Sequence, residues 1–165
     1  MTSIDFALLL LRLLLVAAIA PHGWRKASRL EATADDFAMD GLGGGKTAAA
    51  LAPIAQLVGS ALLLVGALTP FAALALIGVM FVATTVKWSN GFWSFRNGYE
   101  YPALLTGLPI AVAVAGPGSI SIDHVLGFEL RGAVGIITSV IGLLIGASSA
   151  VILRRLGAQG EGSTR

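Results

Sequence analysis

Five apolar runs dominate the chain, at residues 4–22, 48–68, 71–88, 101–116 and 133–153. The hydrocarbon core of a bilayer is about 30 Å thick, and a helix needs roughly 20 apolar residues to cross it. Only helices and closed barrels satisfy every backbone polar group in lipid. Runs of this length without strict alternation therefore predict an all-α membrane protein of five spans. Charged residues make up only 12% of the chain, about half of what a soluble domain carries. The fourth run is short and holds Pro109, which removes a backbone bond and predicts a kink. Thr69-Pro70 punctuates the second and third runs, predicting an antiparallel hairpin.

Charge placement predicts orientation. Lys and Arg total eleven. Nine lie on one side of a five-span chain: Arg25, Lys26, Arg29 and Lys46; Lys87 and Arg96; and Arg154, Arg155 and Arg165. Arg131 stands alone on the other side, and Arg12 lies within the first run. Because Lys and Arg favour the cytoplasm, the N-terminus is expected outside and the C-terminus inside, in a multi-pass plasma membrane protein. The first segment is read as a retained helix. It has no Lys or Arg before Arg12, and Pro21 follows the small residues Ala18-Ile19-Ala20.

The composition excludes several classes. With no cysteine, the chain carries no disulfide, iron–sulfur cluster or c-type haem of its own. The net charge of +2 does not point to nucleic acid. GLGGGKT at residues 41–47 lacks phosphate-loop spacing, since Asp40 stands where the first glycine belongs; it reads as a flexible linker. His22 and His124 fall on opposite sides of the membrane, so they cannot clamp one haem, and no metal site is read. His124 reads as a solvated loop residue.

Between the first two spans, Trp24, Ala27, Leu30, Ala34 and Phe37 recur at helical spacing. They predict a short amphipathic helix on the membrane surface within residues 24–46. Residues 157–165 read as a disordered tail. The division expected is a bundle over 1–123, an outer loop and fifth span over 124–156, and the tail.

Arg12 sits among seven leucines near the middle of its run. A guanidinium there costs about 2.5–3.5 kcal/mol on insertion scales, and such a residue is expected to face the bundle interior. Asp5 lies two turns back, about 10 Å along the axis. Gln56 and Thr106 are the neutral partners available, and no acid of this chain is expected near Arg12. Its partner is then expected to be a bound ligand or another subunit. A second candidate is residues 87–102, where Lys87, Trp88, Arg96, Glu100 and Tyr101 crowd one short loop. Trp and Tyr often only anchor a protein at the interface. With His22 at the same face, the loop reads either as a polar pocket or as a structural cap. In the fifth run Gly135, Ser139, Gly142 and Gly146 recur every three or four residues. That spacing allows close backbone packing, on this bundle or on another protein.

LLLLRLLL…HGWRK (residues 8–26), PIAQLVGSALLLVGALTPFAALAL (53–76), NGYEYP (97–102) and AGPGSISID (115–123) resemble the DoxX/DoxD family of small bacterial membrane proteins. The resemblance covers about residues 4–123. It implies a four-helix bundle, here with an additional C-terminal transmembrane helix. It also implies an integral membrane subunit of an oxidoreductase-type assembly, quinone-linked or related to oxidative stress, and points at Arg12, His22, Glu100 and Tyr101. Quinone is the one cofactor it implies, with other protein subunits and the bilayer as partners. Gln56 departs from the family, many members of which carry an acid there. The alternative is a non-catalytic scaffold docking on a larger complex through the fifth span. No acid–base pair is read, so no turnover is assigned. A transport path would need oligomerisation.

Overall fold

The computed structural model describes residues 2–162. All its regular secondary structure is helical, with no strand among the described residues. Seven helices follow one another: α1 (Ser3–Ser28), α2 (Leu30–Met39), α3 (Gly45–Val65), α4 (Thr69–Lys87), α5 (Glu100–Ala115), the single turn α6 (Ile122–Val125) and α7 (Ala133–Gly162). Four of them, α1, α3, α4 and α7, are long and apolar enough to cross a membrane. The shorter α5 is apolar and runs unbroken through Pro109. Its 16 residues span about 24 Å, less than a full hydrocarbon core.

The helices α1, α3, α4 and α5 close a four-membered ring, each packing on the next, and α7 lies outside it against α4 and α5. Leu15, Ile19, Leu63, Leu76, Met80, Leu105 and Val112 fill the ring. A second cluster of Ala73, Ile77 and Ala113 seals α7 to it. In lipid the hydrophobic effect does not drive helices together, so close packing carries the association. The small residues of α7 supply it. A methyl group on Gly146 would stand 2.8 Å from the Gly78 carbonyl oxygen of α4, and one on Gly142 would stand 3.0 Å from that of Leu74. At Gly135 it would overlap the Ala113 carbonyl of α5. The buried hydroxyl of Ser139 bonds back to the Gly135 carbonyl at 2.7 Å. The stripe expected to serve either this bundle or another protein therefore packs on this bundle.

Local chemistry sets the helix ends. Thr2 and Asp5 form a reciprocal cap on α1. Gly66, at φ +66°, ends α3, with the Ala67 N–H donating to the Leu62 carbonyl at 2.9 Å. This left-handed stop produces the expected hairpin into Thr69-Pro70.

Three expectations are corrected. The first helix continues to Ser28, so the separate helix within residues 24–46 is α2 alone, and Trp24 lies exposed on α1. Residues 157–162 of the tail expected to be disordered extend α7, and its residues 163–165 lie outside the described residues. The glycine-rich turn after α2 packs tightly instead of serving as a slack linker. The Gly43 N–H donates to the Leu153 carbonyl at 2.7 Å, and a methyl on Gly157 would stand 2.5 Å from the Gly41 carbonyl oxygen. Only glycine lets these two backbones approach so closely.

Candidate functional site

The expected site residues separate to opposite ends of the bundle. Arg12 belongs to the end formed by the start of α1, the α3–α4 turn and residues 116–132. It is level with Gly66, whose hydrogen faces the Arg12 guanidinium so closely that any side chain there would collide with it. Arg12 is 1% exposed and its Nη2 donates to the Ile120 carbonyl.

No acid forms an ion pair with Arg12 among the described residues. The nearest tie to one is through the loop that Arg12 meets, which carries Asp123, 3% exposed. Asp123 accepts from the Leu68 N–H at 2.7 Å, the Thr69 N–H at 2.9 Å and the Thr69 hydroxyl at 2.8 Å. It thus caps α4, whose own Leu68 cannot. Its N–H donates to the Gly66 carbonyl at 2.9 Å. Asp5 adds a further tie, accepting from the Ser119 N–H at 2.9 Å. The expected neutral partners lie elsewhere. The Thr106 hydroxyl donates to the Pro102 carbonyl at 2.8 Å, and Gln56 sits toward the other end of α3. Neither of the clefts described below reaches Arg12. Arg12 fastens a loop and lines neither cleft.

The opposite end is open. A cleft of about 1340 Å³ runs between α1, α2 and α3 on one side and α4, α5 and α7 on the other. Its depth is apolar, lined by Ile19, Val82, Leu105 and Ile145. Four of the expected residues, His22, Gln56, Lys87 and Tyr101, line it. The His22 and Tyr101 rings lie 6.2 Å apart, tilted by 56°. Gln56 is 1% exposed, and its Oε1 has no hydrogen-bond partner. Gly23, directly after His22, lets α1 approach α3 here, since a methyl on it would stand 3.0 Å from the Gln56 Cβ.

The helix α2 forms one rim. Its Thr33 hydroxyl donates to the Lys26 carbonyl at 3.1 Å, and the Lys26 ammonium stands 5.7 Å from the centre of the Phe37 ring. The Lys46–Glu31 pair at 2.7 Å is exposed on both sides, and such pairs hold little energy. Sequence reasoning counted Arg25, Lys26 and Arg29 toward orientation only, yet all three line the cleft, as do Asp36 and Asp40.

Trp88, Arg96 and Glu100 do not line the cleft. They build the adjacent loop, as the structural-cap alternative expects. Trp88 stacks on Tyr99 with ring centres 4.5 Å apart. Arg96 lies over Phe95 at 5.6 Å. Glu100 accepts from the Ser94 N–H at 3.0 Å and its hydroxyl at 2.9 Å, and these bonds hold its carboxyl below the usual carboxylate range. Glu100 lines a smaller, mainly apolar cleft of about 320 Å³ instead. At the Arg12 end, His124 pairs with Glu129. Among the described residues no three His, Cys, Asp or Glu side chains are grouped to hold a metal.

Residues 7–88, covering α1 through α4, match the family model of DoxX. No curated protein and no solved structure matches the chain.

Proposed function

The chain belongs to the DoxX family through residues 7–88 and is a membrane protein; from that premise we propose an integral subunit of an oxidoreductase-type assembly. In this reading the large cleft takes up an amphipathic molecule from the bilayer, a quinone or a lipid. The observation that carries it is the cleft itself, apolar in depth and polar at one end. Small-molecule pockets run to roughly 300–1,000 Å³, so a volume of about 1340 Å³ suits a ligand with a long apolar part. Gln56, buried with an unpartnered oxygen beside this space, supports a ligand that brings a hydrogen-bond donor.

The proposed membrane frame has five spans, with the cleft end cytoplasmic. Support comes from the cations Arg25, Lys26, Arg29, Lys87 and Arg154, all at that end, and from the positive-inside rule. Scaffolding through the fifth span has less support, because the small-residue stripe of α7 is spent on α4 and α5.

The test is purification from native membranes in mild detergent, with mass spectrometry of co-purifying proteins and of the organic extract. The expected result is a stoichiometric amphiphile together with oxidoreductase subunits. Val82→Trp, which fills the cleft, is expected to lose the amphiphile while still folding. Partners without any bound amphiphile, or an amphiphile kept in full by Val82→Trp, would overturn the reading.

A further inference from the structure

Four cations from two separate elements line one end of the cleft: Arg25, Lys26 and Arg29 at the end of α1, and Lys87 at the end of α4. None of them is in an ion pair among the described residues. Only two acids, Asp36 and Asp40, line the same space, and their charges act on Lys26. The lining is therefore cationic on balance. We infer that the cleft seats an anionic phospholipid, its phosphate among Arg25, Lys26, Arg29 and Lys87 and an acyl chain along the apolar depth. This deepens the proposed function and rests on it, naming the class of amphiphile.

Charge complementarity selects this occupant. A neutral lipid or a quinone would leave these four cations with only Asp36 and Asp40 to balance them. A phosphate bridges the α1 and α4 sides, and Arg in particular presents a fork that matches phosphate geometry. The glycerol region of a lipid lies below its phosphate, toward the level of the buried Gln56. Basic side chains between membrane helices recognise anionic headgroups by the same chemistry.

Because the chain has no cysteine, a single Ser149→Cys in the cleft lining gives a unique thiol. The delipidated protein in a zwitterionic detergent is titrated with short-chain phosphatidylglycerol, phosphatidylcholine or inorganic phosphate, and the rate of maleimide labelling is read. Phosphatidylglycerol is expected to protect the thiol at about tenfold lower concentration than phosphatidylcholine. The preference is expected to vanish in Arg25→Gln/Arg29→Gln and in Lys87→Gln, and to weaken with salt. The side chains of Arg25, Arg29 and Lys87 make no hydrogen bond or ion pair among the described residues, and unchanged melting of the variants checks that they fold. Equal protection by the two lipids, or a preference untouched in both variants, would overturn this inference and leave the cleft an amphiphile site. Protection by phosphate alone at comparable concentration would overturn the lipid as occupant. Protection by none of the three would overturn both this inference and the reading on which it rests.

Discussion

Replacing Asp123 with alanine is expected to cost far more than an ordinary acid-to-alanine change on the surface. Three bonds are lost, from the Leu68 N–H, the Thr69 N–H and the Thr69 hydroxyl. Removing a helix cap alone costs about 1 kcal/mol. Thr69 is fully buried, so its N–H and hydroxyl are left without partners or water, at about 1–3 kcal/mol. Arg12 then keeps its charge at 1% exposure with no nearby anion. Stripping one member from a buried pair in contact costs about 3–5 kcal/mol, and less is expected here because the two do not touch. The sum is about 4 kcal/mol. Equilibrium unfolding in mixed micelles, followed by circular dichroism, measures it against Asp35→Ala, an exposed position expected to change stability by no more than about 0.5 kcal/mol. A double-mutant cycle separates the charge from the cap. Arg12→Met and Asp123→Asn are each expected to destabilise, and the double variant to recover about 1–3 kcal/mol of their sum. If Asp123→Ala unfolds like Asp35→Ala, or the cycle shows no coupling, the assignment of Asp123 to Arg12 is wrong.

Gly135→Ala should destabilise the packing of α7 strongly, because the new methyl overlaps the backbone carbonyl of Ala113. Gly107→Ala in α5, where nothing stands within 4 Å, should stabilise by up to about 1 kcal/mol through helix propensity; thermal melts in detergent compare the two. Gly43→Ala is expected to free the turn after α2 from the end of α7, read as faster hydrogen exchange at residues 41–45. Glu100 should give the 88–99 loop an acid transition. Its carboxyl is held below its ordinary value of 4.5, so its contribution is complete above that value and is lost as pH falls through the lower, folded-state value. Tryptophan fluorescence from Trp88 and Trp93 should report a transition below pH 4.5 in the parent and none in Glu100→Gln.

The helices were legible because lipid leaves few choices. A run too apolar for water must be helical if it crosses, and the runs at 4–22, 48–68, 71–88, 101–116 and 133–153 appear as α1, α3, α4, α5 and α7. The α3–α4 hairpin was legible from Thr69-Pro70. Partners across the fold were not. The carbonyl that Arg12 meets lies 108 residues along the chain, and nothing in the local pattern around Asp123 marks it as buried. The glycines of α7 announced a close approach without naming α4 and α5 as what approaches. Those at 41–45 read as slack, because sequence shows the freedom of a glycine and not the backbone of α7 lying against it. His22, Gln56, Lys87 and Tyr101 were singled out for separate reasons, and only the folded chain brings them to one cleft. The same loop chemistry that made Glu100 and Trp88 conspicuous turned out to be spent on holding residues 88–99.

Arg12 was the most conspicuous residue in the sequence, yet the geometry moves the search for a ligand away from it. A buried charge can act on a ligand only where a ligand can reach it. Around Arg12 the space is filled by the Gly66 turn, the Ile120 carbonyl and the loop that Asp123 anchors. At the other end the balance is reversed. The charges of Arg25, Arg29 and Lys87 are not committed to partners, the oxygen of Gln56 is buried without one, and a space of about 1340 Å³ opens beside them. The Arg12 Nη2 donates to the Ile120 carbonyl, while its Nε and Nη1 are buried without partners among the described residues and neither described cleft reaches them. Polar groups left unpaired around an open cleft await something from outside it. Access rather than burial therefore favours the proposed recognition site, at the end where α1 and α4 finish.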